Sequence, residues 1–187
     1  MALIGEKDII KEEKVKVYIV ATQTGTWLSQ ALKIVTKAKY NHISISFDKD
    51  LDSMYSFGRK NAYNPFFAGL VQESPRWGTF KRFPNTISKI VSLELHSNDY
   101  LKMKKYVEDM YSHKDDYHYN LLGVFLGYFN KAYDRDNYYY CSEFVEEVLI
   151  VGNLIDNDHF GVVVKPVDIL AIEENKLIYE GLLKDYK

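Results

Sequence analysis

Cysteine is nearly absent from the sequence, which contains a single one, Cys141, in 187 residues. One thiol cannot form an intramolecular disulfide, and this favours a reducing compartment. A zinc ribbon and an iron–sulfur site are excluded as well, because each needs several thiolates. The lone thiol of Cys141 therefore needs another explanation.

The sequence also has few glycines and prolines, no excess of positive charge and no long apolar run. Its 10 Gly and 4 Pro argue against collagen-like or low-complexity character. Lysine and arginine total 24 against 26 acidic residues, and the net charge of -2 excludes electrostatically driven binding of nucleic acid as the default. The apolar stretch 121–129 is about half of a membrane-spanning helix. We therefore expect no stable membrane insertion and, without a targeting segment, a cytoplasmic location.

Apolar residues are plentiful: hydrophobic residues make up 47% of the chain and aromatic residues 15%. This supply suits one well-packed domain over 1–187. Apolar or alternating runs predict strands over 15–21, 41–47, 53–57, 70–73, 79–83, 88–95 and 176–180. Helical spacing predicts helices over 27–38, 98–113, 118–130, 141–151 and 166–170, while Gly and Pro indicate that most of 58–78 is loop. Because strands cluster early and helices late, we expect an α+β fold.

Cys141 is predicted to stand at the start of the helix 141–151. The helix dipole and the free backbone N–H groups at that place favour a thiolate and can stabilise an oxyanion. A nucleophilic thiol needs a base, and His42 lies on the polar face of the strand 41–47, where the backbone can aim an imidazole. Each residue also has an ordinary interpretation on its own, because a lone cysteine is most often a small buried side chain.

The order of several segments carries a resemblance to a known family. They are the helix 27–38, the strand opening with Tyr40-Asn-His-Ile-Ser-Ile-Ser46, the following Met54-Tyr-Ser-Phe-Gly-Arg59, then Tyr117-His-Tyr-Asn-Leu-Leu-Gly123 and finally Tyr140-Cys-Ser-Glu-Phe-Val145. With its His strand first and its Cys helix last, the chain resembles the circularly permuted branch of the NlpC-type, papain-like cysteine peptidase and amidase clan. This is the YiiX/YaeF-like group, and lecithin:retinol acyltransferase belongs to the same branch. The resemblance covers roughly residues 15 to 150.

The resemblance implies a permuted papain-like fold, with an antiparallel sheet packed against helices. It also implies that Cys141 is the nucleophile and that His42 is its general base and then its general acid, through an S-acyl intermediate. The expected activity is that of a thiol amidase, peptidase or related acyl hydrolase on a small-molecule, peptide or lipid-like substrate, without metal or cofactor. The alternatives are a lipid acyl hydrolase or acyltransferase of the same branch and a ligand-binding domain without turnover.

The sequence offers three alternatives for the group that orients His42. The family places a polar or acidic residue in the strand after the His strand; here that residue is Ser56, which adds no charge to stabilise an imidazolium. Glu73 can supply a carboxylate from the adjoining segment, and a backbone carbonyl or water is the third alternative.

Two further residues are candidates for substrate binding. Arg59 can bind a carboxylate or phosphate, although a surface salt bridge is the commoner role. Tyr140 can donate a hydrogen bond near the oxyanion, or it can simply fill the core.

Overall fold

The computed structural model describes residues 13–25, 38–61, 64–127, 129, 131–133 and 135–187. The helix expected over 27–38 lies outside these residues, apart from Ala38. The strands are β1 (Lys14–Gln23), β2 (His42–Ser46), β3 (Met54–Asn61), β4 (Asn64–Glu73), β5 (Ile87–His96), β6 (His118–Tyr119), β7 (Tyr138–Tyr139) and β8 (Lys176–Leu182). The helices are α1 (Gly78–Arg82), α2 (Ser97–Ser112), α3 (Leu121–Gly127), α4 (Cys141–Val151) and α5 (Pro166–Leu170), and a 3-10 turn follows at Leu183–Asp185.

Six strands form one sheet in the order β4-β3-β2-β1-β5-β8, and every neighbouring pair in it is antiparallel. β6 and β7 form a separate parallel pair. The expected α+β class, with an antiparallel sheet and helices, is thereby confirmed. No helix in the described part of the chain has the length and apolar character needed to cross a membrane.

The strand side chains alternate between two faces of the sheet, and each face has its own core. The larger core joins the sheet to α2, α4 and α5, and includes Ile19, Ile43, Ile45, Phe57, Met103, Val107, Phe144, Val148 and Ile169. The smaller core, on the opposite face, includes Val20, Leu51, Met54, Phe80, Ile90 and Leu183. In β2, the apolar residues Ile43 and Ile45 belong to the larger core, so Ser44 and Ser46 face the smaller one.

The expectation of a loop over most of 58–78 is wrong. β3 continues to Asn61, and β4 fills Asn64–Glu73. Gly58 pairs directly opposite Gly69 in this ladder, and Pro65 is accommodated because β4 is at the edge of the sheet. Cross-strand pairing therefore overrides the low strand propensity of these residues.

Two other expected elements also differ from the structure. The strand predicted over 79–83 is the short helix α1, whose buried Phe80 packs into the smaller core. The helix predicted over 118–130 is divided into β6 and α3 by Asn120. The side chain of Asn120 accepts a hydrogen bond from the N–H of Gly123 at 2.9 Å, so the helix begins after this capping residue.

Candidate active site

Cys141 is the first residue of α4, as its sequence position predicts. The preceding strand β7 leads into the helix through Tyr140, whose backbone N–H donates to Glu143 Oε2 at 3.0 Å. Ser142 Oγ donates to the carbonyl of Val164 at 3.0 Å. Phe144 is fully buried, and its ring centroid is 5.5 Å from that of Phe57 in β3. The first turn of α4 is thus fixed on several sides, and the position of the thiol is fixed with it.

His42 is the first residue of β2 and pairs with Glu73, the last residue of β4. The distance from His42 Nε2 to Glu73 Oε2 is 3.0 Å. The two side chains are only 20% and 11% exposed. The structure therefore places the carboxylate of Glu73, one of the two candidates for the orienting group, directly against the imidazole.

Ser56 lies in the same cluster, but its closer contact is to the carboxylate. Its Oγ donates to Glu73 Oε2 at 2.8 Å and is 3.3 Å from His42 Nε2. Ser44, which the sequence analysis did not single out as a site residue, donates to the same oxygen at 2.9 Å and is 3.4 Å from Nε2. The available signal was the strand alternation, which puts Ser44 on the polar face of β2 with His42.

The pKa of His42 is set by opposing effects. Burial lowers it because an imidazolium loses water, but the Glu73 carboxylate and the hydrogen bond and charge of Cys141 outweigh burial and raise the pKa to about 10. Burial also acts to raise the pKa of Glu73, but the charge of His42 and the hydrogen bonds from His42, Ser56 and Ser44 bring it below its usual range. The favoured state at neutral pH is therefore an imidazolium beside a carboxylate.

Cys141 acts on the same imidazole, because its hydrogen bonding and its charge both raise the pKa of His42. Since Glu73 contacts Nε2, Nδ1 is the ring nitrogen left for the thiol. Cys141 is 6% exposed. Thiol, imidazole and carboxylate thus form a continuous series, which is the relation that a nucleophile, a base and an orienting group require.

The two candidate substrate-binding residues stand at the margin of this series. Tyr140 precedes Cys141 and is 7% exposed. Burial, with the Glu143 carboxylate next, raises the pKa of its hydroxyl, which therefore stays protonated and able to donate. Arg59 donates a long hydrogen bond of 3.4 Å to Thr24 Oγ1 and is near enough to Glu73 for its charge to act on the Arg59 pKa, which burial lowers.

The start of α3 lies beside the start of α4. His118 pairs with Tyr138 and Tyr119 with Tyr139 in the parallel ladder, and the N–H of Asn120 donates to the carbonyl of Tyr139 at 2.9 Å. Each strand leads into its helix after one intervening residue. An entirely apolar helix therefore begins next to the one that carries Cys141.

Comparisons with protein-family models, with curated proteins and with solved structures found no match. Within the described residues, no group of three or more His, Cys, Asp or Glu side chains is arranged to hold a metal ion.

Proposed function

We propose that this protein is a cysteine-dependent amidase, peptidase or related acyl hydrolase with a permuted papain-like fold. Cys141 attacks the carbonyl carbon of the substrate and forms an S-acyl enzyme. His42 donates a proton to the leaving group and then takes one from the water that splits the thioester. Glu73 keeps the imidazole oriented and stabilises its charge.

One observation carries the proposal: His42 Nε2 lies 3.0 Å from Glu73 Oε2, and the same imidazole interacts with Cys141, which together with Glu73 raises its pKa. A structural histidine in a core needs a single hydrogen-bond partner, whereas this one interacts with both a thiol and a carboxylate. The position of Cys141 at a helix start adds a second support, because α4 directs free N–H groups toward its first residue.

The order of elements along the chain supports the permuted form of the fold. The strand with His42 comes first, the carboxylate follows in β4, and the helix with the nucleophile comes last, after the long helix α2. An antiparallel sheet packed against helices is common to many folds, so the proposed fold rests on this order together with the site.

The first experiment is the pH–rate profile of alkylation by iodoacetamide, which is unambiguous because Cys141 is the only cysteine. We expect alkylation at pH 6 about tenfold faster than that of a free thiol. In His42→Ala the profile should move to higher pH. Slow alkylation that is indifferent to His42 would contradict the proposal and favour a binding domain without turnover, for which the low exposure of Cys141 is the supporting observation.

Activity is then sought with libraries of peptide amides and acyl esters. Cys141→Ala should abolish any hydrolysis found, and Cys141→Ser should trap the acylated form as an ester or leave only slow turnover. An activity that survives in Cys141→Ala would exclude this residue as the nucleophile.

A lipid-like acyl group is the second candidate substrate, favoured by the apolar helix α3. Leu121, Leu122 and Phe125 are between 47% and 60% exposed, and the helix begins beside the helix of Cys141. Phe125→Ser should lower hydrolysis of long-chain but not of short-chain p-nitrophenyl esters. Leu101→Ser, at a 59% exposed position of α2, is the matched control, and an equal effect of both variants would remove the support for a lipid substrate.

A further inference from the structure

We propose that Ser44 and Ser56 are a pair of positioning residues that fix the proton arrangement of the site through Glu73. They direct the N–H of His42 toward the carboxylate and leave the other ring nitrogen for Cys141. The catalytic consequence rests on the proposed function, but the arrangement itself can be measured without any substrate.

The starting point is the crowding of donors on one oxygen. Glu73 Oε2 is approached by His42 Nε2 at 3.0 Å, by Ser44 Oγ at 2.9 Å and by Ser56 Oγ at 2.8 Å. A carboxylate oxygen accepts several hydrogen bonds when it is ionised, whereas a protonated carboxyl has to use one oxygen as a donor. Three donors on Oε2 therefore favour the ionised form of Glu73.

The hydroxyl hydrogens decide which ring nitrogen keeps its proton when His42 becomes neutral. Each serine has one hydrogen to donate, and both are used on Glu73. The longer distances to His42 Nε2, 3.4 Å from Ser44 and 3.3 Å from Ser56, are then contacts between the ring and hydroxyls that are already engaged. The hydrogen between the ring and Oε2 must come from Nε2, so Nδ1 is the atom that exchanges a proton with Cys141.

Burial separates this role from contact with a substrate. Ser44 and Ser56 are both 0% exposed, and they flank the carboxylate from β2 and β3, while Glu73 extends from β4. Two hydroxyl donors offset the cost of keeping a buried carboxylate charged. Without them Glu73 would hold a proton more readily, and the imidazolium would lose its partner.

The charged and titratable groups near the two serines come from four elements, the first being β2 with His42. Glu73 belongs to β4, Cys141 begins α4, and Arg59 in β3 lies close enough for the Glu73 charge to affect it. Arg59 keeps its charge over the whole pH range of interest. A change of titration in a serine variant therefore reports on His42, Glu73 and Cys141.

The test compares Ser44→Ala, Ser56→Ala and the double variant with Ser92→Ala. Ser92 is the matched control: it is a fully buried strand serine on the same sheet face, and its hydroxyl has no hydrogen-bond partner among the described residues. The titration of His42 is followed by the ¹⁵N chemical shifts of its ring, and thiol reactivity by alkylation with iodoacetamide. Ser56→Thr, which restores a hydroxyl, serves as the rescue variant.

In the double variant we expect the apparent pKa of His42 to fall by about one unit, and the upper pH limit of the imidazolium-dependent alkylation of Cys141 to fall with it. Each single variant should give a smaller change, while Ser92→Ala and Ser56→Thr should stay near the native values. A native His42 titration and tautomer in a folded double variant would overturn the inference. If the double variant does not fold, the two single variants decide by the same criterion.

A failure of the proposed function is distinguished from a failure of this inference by the alkylation of the native protein and of His42→Ala. If the native protein and His42→Ala are alkylated alike, the thiol is not activated by His42, whatever the serines do. The ring ¹⁵N shifts would still report whether Ser44 and Ser56 hold the proton on Nε2.

Discussion

Buried hydroxyl groups are found in two halves of the same sheet face, and the structure uses them differently. In the half formed by β2, β3 and β4, Ser44 and Ser56 both donate to Glu73. In the half formed by β1 and β5, Thr22 and Ser92 are equally buried, yet their hydroxyls have no hydrogen-bond partner in the described part of the chain. A buried hydroxyl therefore does not by itself indicate a functional site. The two halves differ because, among the described residues, only the β2–β4 half contains a buried carboxylate, that of Glu73, for the hydroxyls to bind.

The comparison has an energetic side. An unsatisfied buried polar group costs about 1–3 kcal/mol, so loss of the Thr22 or the Ser92 hydroxyl is expected to be tolerated or even to stabilise the protein, unlike loss of the paired hydroxyl of Ser88. The β2–β4 half contains a charge that depends on its donors, so the loss of any member leaves another group unsatisfied. Substitutions should thus have opposite consequences in the two halves.

The largest effect is expected from breaking the ion pair. Glu73→Ala leaves the imidazolium of His42 without its partner and should lower the free energy of unfolding by about 3 kcal/mol, as well as slowing alkylation of Cys141. Urea unfolding at pH 7 measures the stability. Glu94→Ala, which removes a surface carboxylate 3.0 Å from Lys176, is the control and should change stability far less. Equal losses of unfolding free energy in the two variants would mean that the His42–Glu73 pair stabilises the fold no more than a surface ion pair does.

The pH dependence of stability should follow the same pair. The pKa of His42 is raised, so its contribution is fully present below its ordinary value of 6.5 and is lost as the pH rises toward about 10. The pKa of Glu73 is lowered, so its contribution is present above 4.5 and is lost at lower pH. Stability should therefore fall above pH 6.5, by up to about 1.4 kcal/mol per pH unit.

Thermal unfolding from pH 5 to 10 measures this slope in the native protein and in His42→Gln. The difference between the two curves isolates the histidine from the tyrosines and lysines that titrate in the same range. Parallel curves would show that His42 binds its proton no more tightly in the folded state than in the unfolded chain.

A smaller effect is expected from filling the space beside the imidazole. A Cβ added at Gly58 would lie 3.2 Å from His42 Cε1 and 3.4 Å from Glu73 Oε1, whereas one added at Gly69 would meet only the flexible end of Lys60 at less than 3.4 Å. Gly58→Ala should cost about 1–2 kcal/mol and should slow alkylation of Cys141. Gly69→Ala should leave alkylation unchanged, and a reversed order of the two variants would contradict the role assigned to Gly58.

The smallest effect is expected at a hydroxyl without a described partner in the β1–β5 half. Thr22→Val replaces a buried hydroxyl by a methyl group of similar shape, next to His42 in the ladder. It should change the free energy of unfolding by less than about 1 kcal/mol in either direction. A clear loss of stability in urea unfolding would indicate that the Thr22 hydroxyl has a hydrogen-bond partner. The contrast between paired and unpaired hydroxyls in the two halves would then not hold for Thr22.

Local patterns in the sequence were sufficient for the strand around His42 and for the helix that begins at Cys141. The alternation of Ile43 and Ile45 with polar residues defines one, and the buried positions of 141–151 define the other. The cluster on Glu73 could not be predicted in the same way, because it depends on the register of three strands. The low strand propensity of Gly58, Pro65 and Gly69 made the end of β3 and most of β4 read as loop, although the pairing of β3 with β4 is what brings the carboxylate to the imidazole.

The chain order of the site also has a consequence for biosynthesis. A ribosome adds roughly 5–20 residues per second, so β1 to β5, with His42 and Glu73, emerge several seconds before α4. The sheet can therefore prepare the imidazole and its carboxylate while the cysteine has not yet been translated. Docking of a single late helix then brings the thiol to its partner, so on the proposed function the assembly of α4 is the step at which the newly made protein becomes active.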